Sequence, residues 1–365
     1  MNGQPTRRSS IPRRDQATGP ANPDATPGAR AVLHYLQDLE KGPGGRILSG
    51  QFTNFGRLAS WRMANEFHRL SDRWPAVLGV DYADFSARGG RKLTTQRFIS
   101  AIATNRFDLV RHDDLHTRAP NRVALRQWRA GGLVTVSAHC YNPANPRGGG
   151  LRDQGVELAG LLQKGTATHR RWMRQLDQIA AALAELRDAG VVVLWRPLHE
   201  MNGAWFWWGK KSPRAFVRVW RHMFDHFRKG KGLDNLLWVF SPNHGDNAGD
   251  YYPGDRYVDI TGLDAYGDQV DRRNFLGYQQ VARRIKPFGF TEFGPHGTGV
   301  PPGDFDYGRL LASVCREFPR TSFFFPWNAG WSPMRNRRGR EFIRHPLMVN
   351  RENLPRGLAG GKGTS

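Results

Sequence analysis

The chain has 365 residues, 39% of them hydrophobic and 12% aromatic, which is ample for one large domain with a sizeable core. Twelve Trp and 21 Phe exclude a disordered chain, and apolar runs such as Val191 to Trp195 fall far short of the roughly 20 residues a membrane span needs. Fifty-four Lys+Arg against 32 Asp+Glu leave a formal net charge of +22, and two cysteines, Cys140 and Cys315, are too few for a disulfide framework.

Such a charge favours acidic partners, whether nucleic acid, an anionic membrane or an acidic polymer. Only nine of the 54 are Lys, leaving 45 Arg, a skew that codon bias in a GC-rich genome produces. The arginines are scattered along the chain rather than gathered on one helical face. Composition therefore argues for neither a nucleic-acid nor a membrane partner.

Residues 1–30 are rich in Pro, Arg, Ser, Thr and Gly, without apolar periodicity, and read as a disordered leader. Arg7-Arg8 resembles a twin-arginine opening, but no apolar stretch of about 7–15 residues follows, so no intact signal peptide is legible. Eight candidate strands come next in chain order: Ile47–Ser49, Ala76–Val80, Leu133–Ser137, Val191–Trp195, Leu236–Phe240, Val258–Leu263, Phe288–Thr291 and Ser322–Phe325. They are nearly continuous apolar runs, as expected of strands buried on both faces. Helical patterns lie between them. Trp172, Leu176, Ile179, Ala180, Leu183 and Leu186 form one amphipathic stripe, and Gly190 sits where a left-handed cap belongs. Phe216, Trp220, Phe224 and Phe227 precede the fifth strand in the same way, as do Leu310, Leu311, Val314 and Phe318 the eighth.

Eight such alternations point to a single-domain (β/α)8 barrel over residues 31–346, with a flexible basic tail at 347–365. A doubly wound open sheet would carry a glycine-rich phosphate turn after its first strand, and Ser49-Gly50-Gln51-Phe52 is not one. A barrel does its chemistry at the C-terminal ends of its strands.

After the fourth strand, Arg196-Pro197-Leu198-His199-Glu200-Met201-Asn202-Gly203 runs into Ala204-Trp205-Phe206-Trp207-Trp208-Gly209. A zinc-protease motif would need a second His four residues after His199, and position 203 is Gly. Four Trp within fourteen residues, Trp195 included, exceed what a core requires. Flat aromatic faces beside carboxylates suit a sugar ring. After the seventh strand stands Thr291-Glu292-Phe293, where an acid closing a buried strand is costly unless it is paired or used. Strands four and seven face each other across a barrel, so Glu200 and Glu292 can share one pocket, and two carboxylates flanking a glycosidic bond are the machinery of glycoside hydrolysis. His139 and Asn142 after the third strand offer bonds to sugar hydroxyls, Tyr266 after the sixth a phenol for a nucleophilic carboxylate, and Trp327 after the eighth a floor for a sugar ring.

At these residues the sequence resembles glycoside hydrolase family 26, the clan A barrel enzymes best known as β-mannanases. Trp195 to Gly203 with Trp205 to Gly209 is similar to that family's segment around the acid/base, and Phe290 to Gly294 to its nucleophile segment. The resemblance spans about Ala31 to Pro346. It implies Glu200 as general acid/base and Glu292 as nucleophile, with His139, Arg196, His199, Trp205, Tyr266 and Trp327 binding the sugar that forms the covalent intermediate. It implies retaining endo-hydrolysis of β-1,4-mannan by an extracellular enzyme without a metal or organic cofactor; with no legible signal peptide a cytoplasmic protein is the alternative, and a monomer is expected. A family glycanase for β-1,3-xylan, mixed-linkage glucan or an acidic exopolysaccharide is the main alternative. A non-catalytic carbohydrate-binding protein would use the same aromatic surface but has no need of both carboxylates. His112-Asp113-Asp114 with His116 has metal-like spacing in a polar connection and reads as a solvated loop.

Overall fold

Eight parallel strands, with nearly every residue buried, wind round to pair with one another in chain order. They are β1 (Ile47–Phe55), β2 (Val77–Tyr82), β3 (Leu133–Ala138), β4 (Val193–Pro197), β5 (Leu236–Phe240), β6 (Ile260–Tyr266), β7 (Phe288–Gly294) and β8 (Thr321–Pro326). Leu48 and Ser49 of β1 pair with Phe323 and Phe324 of β8, which closes the barrel. The computed structural model describes residues 19–40, 45–83, 86–87, 110–111, 115–145, 153–296 and 302–360. His112, Asp113 and Asp114 lie outside them, and His116 accepts a hydrogen bond from Arg57.

The helices bury the predicted stripes. α1 (Pro27–Leu39), α2 (Arg62–Ser71) and α3 (Arg118–Arg129) accompany β1 to β3. In α4 (Ala167–Asp188) the Thr166 hydroxyl caps the His169 N–H at 3.1 Å, and Trp172 to Leu186 line the core side. Gly190 adopts φ 72°, which lets Val191 N–H reach the Leu186 carbonyl at 2.9 Å and turns the chain into β4. α5 (Pro213–Asp225) starts on a proline, then come α6 (Tyr278–Ala282), α7 (Tyr307–Glu317), capped by Asp306, and α8 (Gly339–Arg344). Among the described residues no helix is long and apolar enough to cross a membrane.

Both domain boundaries need correction. Residues 19–30, expected in the leader, belong to the fold: Asn22 bonds Asp234, the Ala21 N–H donates to buried Asp259, and Thr26 caps α1, which touches β5 and β8. Residues 347–360, expected in the tail, also pack. Met348 and Val349 pair with Ile47 and Leu48, and Leu358 and Ala359 are buried. Small apolar residues among many arginines carry these contacts, and composition averages them away.

The strands also run further than their apolar runs. β6 continues through Asp264 and Tyr266, paired with Glu292 and Gly294 of β7. Polar residues at the barrel mouth keep the backbone ladder while their side chains leave the core. A register shift between Leu263 and Asp264 is an irregularity of the kind that re-aims a side chain.

Candidate active site

Glu200 is positioned by a strained loop. Beyond β4 the chain passes through left-handed backbone at Leu198 (φ 45°) and Glu200 (φ 54°), conformations that cost about 1–3 kcal/mol each in non-glycine residues. The surroundings hold them there. Glu200 N–H donates to the Ser241 carbonyl at 2.8 Å, and Asn202 bonds the Asn243 backbone in both directions at 2.8 and 2.9 Å. The Trp208 indole N–H donates to the His199 carbonyl at 2.8 Å and that of Trp207 to the Cys140 carbonyl at 2.7 Å.

The four-tryptophan sugar surface therefore needs revision. Trp195, Trp207 and Trp208 are fully buried; Trp207 and Trp208 brace the loop, and Trp195 packs against Tyr82 and Phe227. Trp205 alone of the four is half-buried, and its indole N–H donates to a Glu200 oxygen. Gly203 makes room for it, since a Cβ there would lie 2.3 Å from the Trp205 ring.

Glu292 lies within β7, opposite Asp264. One carboxyl oxygen each from Glu200, Asp264 and Glu292 fall within 4.8 Å of one another, all three residues buried. Three acids could hold a metal ion, but a cation of the chain is already among them. Arg196, buried, donates from Nη1 to Asp264 at 2.7 Å and from Nη2 to Glu292 at 2.5 Å. The Tyr266 hydroxyl donates to the second Glu292 oxygen at 2.8 Å, and the Ser241 hydroxyl to Asp264 at 2.6 Å.

These neighbours divide the protons. Burial, reinforced by the Asp264 charge, pushes the Glu200 carboxyl up to about 8, against the opposing bond from Trp205. Burial and Asp264 raise Glu292 as well, with Arg196 opposing. The negative charge of the pair falls on Glu292, because the guanidinium and the phenol both donate to it, whereas Glu200 has only the neutral indole and the Asn243 amide. His199 is neutral: burial, Arg196 and His139 all disfavour its protonated form, and its Nε2 is 3.9 Å from Glu292.

His139 is held by a carboxylate of another strand. Its Nδ1 pairs at 2.8 Å with Asp81 on β2, which also accepts from the His139 backbone N–H at 3.2 Å and from the Ser137 hydroxyl. Burial alone would raise Asp81, but the His139 charge and these bonds hold it below the usual carboxylate range. The imidazole packs edge-on against His199 at 4.7 Å and against Phe55 and Phe206, both at 5.3 Å. Trp327 stacks face-to-face on Phe52 with centroids 4.0 Å apart, so one of its faces is taken. Asn142 is buried and bonds Asp153 and Ala144, holding its own loop. Cys140 and Cys315 are both free.

Two carboxyls, one in the loop after β4 and one in β7, thus meet with an arginine on the second and a phenol beside it. The model of glycosyl hydrolase family 26 matches residues 21–353. The chain belongs to this family. It is 32% identical over 346 residues to a mannan endo-1,4-beta-mannosidase of Bacillus subtilis, covering 92% of this chain and 89% of that protein. It is also 32% identical over 356 residues to mannan endo-1,4-beta-mannosidase A and B of Caldalkalibacillus mannanilyticus, covering 94% of this chain but 64% of that longer protein. Among solved structures, a Bacillus subtilis mannanase superposes with a TM-score of 0.79 at 31% identity, covering 94% of this chain and 98% of that one.

In this family 26 barrel, the sequence reading missed Asp264, Asp81, Ser241 and Asn243. Asp264 sits inside a buried strand, the same signal that marked Glu292, but Tyr266 two residues on drew the attention. Ser241 and Asn243 follow β5, and Asp81 lies next to the end of β2, where no motif in the sequence marks them.

Proposed function

We propose that the protein is a retaining endo-β-1,4-mannanase in which Glu292 is the nucleophile and Glu200 the general acid/base. A Glu292 oxygen attacks the anomeric carbon while the bond to the departing oxygen breaks and Glu200 gives that oxygen its proton. Water then adds to the anomeric carbon, its proton passes to Glu200, and the bond to Glu292 breaks. Arg196 and Tyr266 hold the charge on Glu292 before attack. His139, His199, Trp205 and Trp327 line the subsite of the sugar under attack.

The observation that carries this reading is that one oxygen of Glu200 and one of Glu292 lie within 4.8 Å of each other. Retention uses carboxyls about 5–5.5 Å apart, whereas inversion needs about 6.5–9.5 Å to admit a water. The substrate rests on the relatives named as mannan endo-1,4-β-mannosidases. One chain supplies every site residue, so a monomer suffices, and a polymeric substrate calls for action outside the cell. The test is proton NMR of early products from mannan, with β-1,3-xylan and mixed-linkage glucan as comparison substrates. A first-formed β-anomer from mannan supports the reading. A first-formed α-anomer, or faster release from either other polymer, overturns it.

A further inference from the structure

The surplus of positive charge is not used by the catalytic site, and part of it is organised. Arg122, Arg126 and Arg129, read from the sequence as scattered, are spaced four and three apart on α3 and so share one helix face. They extend over about 10 Å of helix. With Leu125 and Ala130 they line a shallow cavity of about 410 Å³. Among the described residues none of the three guanidiniums has a carboxylate partner. The cavity lies at the end of α3 that leads into the start of β3, so it faces away from the barrel mouth.

The surroundings add to the demand for an anion. Arg126 lies over the Trp61 ring at 4.4 Å, Trp61 neighbours Trp74 at 6.0 Å, and Arg351 lies over Trp74 at 4.7 Å. His68 stacks on Trp74 at 4.2 Å. Burial and the nearby Arg126 charge both disfavour the charged form of Arg351, against an opposing pull from Glu352. Within this patch three buried donor or acceptor atoms have no hydrogen-bond partner: Arg351 Nη1, Trp61 Nε1 and His68 Nδ1. Like charges at this spacing repel, and a buried donor without an acceptor is destabilising. An anion in the cavity relieves the repulsion.

We propose that this cavity is a second, non-catalytic binding site for acidic polysaccharide, which the arginines hold by the carboxylates of uronate residues. The inference goes beyond the mannanase reading and does not depend on it. Guanidinium is suited to the site because it meets a carboxylate with two parallel hydrogen bonds. Single-stranded nucleic acid is disfavoured, since its non-specific recognition uses open aromatic faces for base stacking. Here Arg126 covers Trp61, and Arg351 and His68 cover Trp74.

The experiment titrates the full chain with fluorescently labelled oligogalacturonate, followed by anisotropy at low and moderate salt. Four proteins are compared: wild type, R122Q/R126Q/R129Q, R122Q/R129Q, and a charge-matched control, R218Q/R256Q/R340Q, whose residues lie elsewhere on the exposed surface. The site triple is expected to weaken binding about tenfold or more, and the site double, which leaves Arg126 on Trp61, about threefold. The control is expected to change it less than about twofold, with turnover of neutral mannan equal in all four. Should the triple fail to fold, the double carries the test. Absence of binding by wild type, or equal losses in the site and control variants, would overturn the proposal. So would tighter binding of a single-stranded oligonucleotide that depends on the same arginines.

Discussion

The two ends of the barrel bury acids in different ways. Near the start of β6, Asp259 is fully buried, and its two oxygens accept from the backbone N–H groups of Ala21 at 2.5 Å and Trp238 at 2.7 Å. Burial pushes it up to about 6 against those two bonds. At the mouth the acids accept from side chains instead: Glu200 from Trp205, Asp264 from Ser241, Glu292 from Tyr266, and the last two also from the one guanidinium of Arg196. An acid held by fixed backbone donors joins segments of chain, here residues 19–30 to β5. An acid beside other buried acids can exchange a proton as its neighbours change charge. Burial alone does not separate the two; the donors do.

The most severe way to probe that contrast is Glu292→Gln, which keeps the shape but removes the attacking charge. Turnover of mannan and of activated aryl mannosides should fall together by about 10⁴-fold or more, measured as initial rates. Glu200→Gln should lower mannan turnover by about 10²- to 10⁴-fold while sparing aryl glycosides whose leaving group needs no proton. Equal losses on both substrates would remove Glu200 from the acid role. Asp81→Asn acts one residue further out. It removes a charge-assisted bond worth about 1.5–3 kcal/mol, so kcat/KM should fall about 10- to 150-fold, and restoration by Asp81→Glu would separate charge from packing.

At the other end, Asp259→Asn leaves a buried N–H without its acceptor and should lower stability by about 1–3 kcal/mol, read from denaturant unfolding. Here kcat/KM of the folded protein should not change; a loss would make Asp259 part of the site. The mildest test is pH. Glu200 has a raised pKa and is active as the protonated form, so kcat/KM on mannan should decline as pH rises through about 8. In Glu200→Gln, assayed on an aryl mannoside, that alkaline decline should vanish. Its persistence would assign it to another group.

Much of the site was legible in the sequence because strand ends in this fold have a fixed address. Glu200, Arg196 and Tyr266 each follow an apolar run, and Glu292 ends one. The errors arose where a residue's meaning depends on what lies across from it. Asp264 lies two residues before Tyr266 and is no less polar than Glu292, but its importance comes from pairing with Arg196. The tryptophans after β4 looked like one surface in sequence, whereas packing sends Trp207 and Trp208 inward and leaves Trp205 at the site. The carboxylate that holds His139, Asp81, belongs to another strand, so nothing near His139 in the sequence points to it.

The sequence by itself determined the alternation of buried strands with amphipathic helices, and hence the barrel and its chemical end, because periodicity and burial act over a few neighbouring residues. Only the tertiary structure decided which acid carries the charge, which indole faces the pocket, and which arginines stand together without a counter-charge. Protonation and pairing depend on Coulombic and hydrogen-bond distances of a few ångströms between residues far apart along the chain, 96 positions in the case of Arg196 and Glu292.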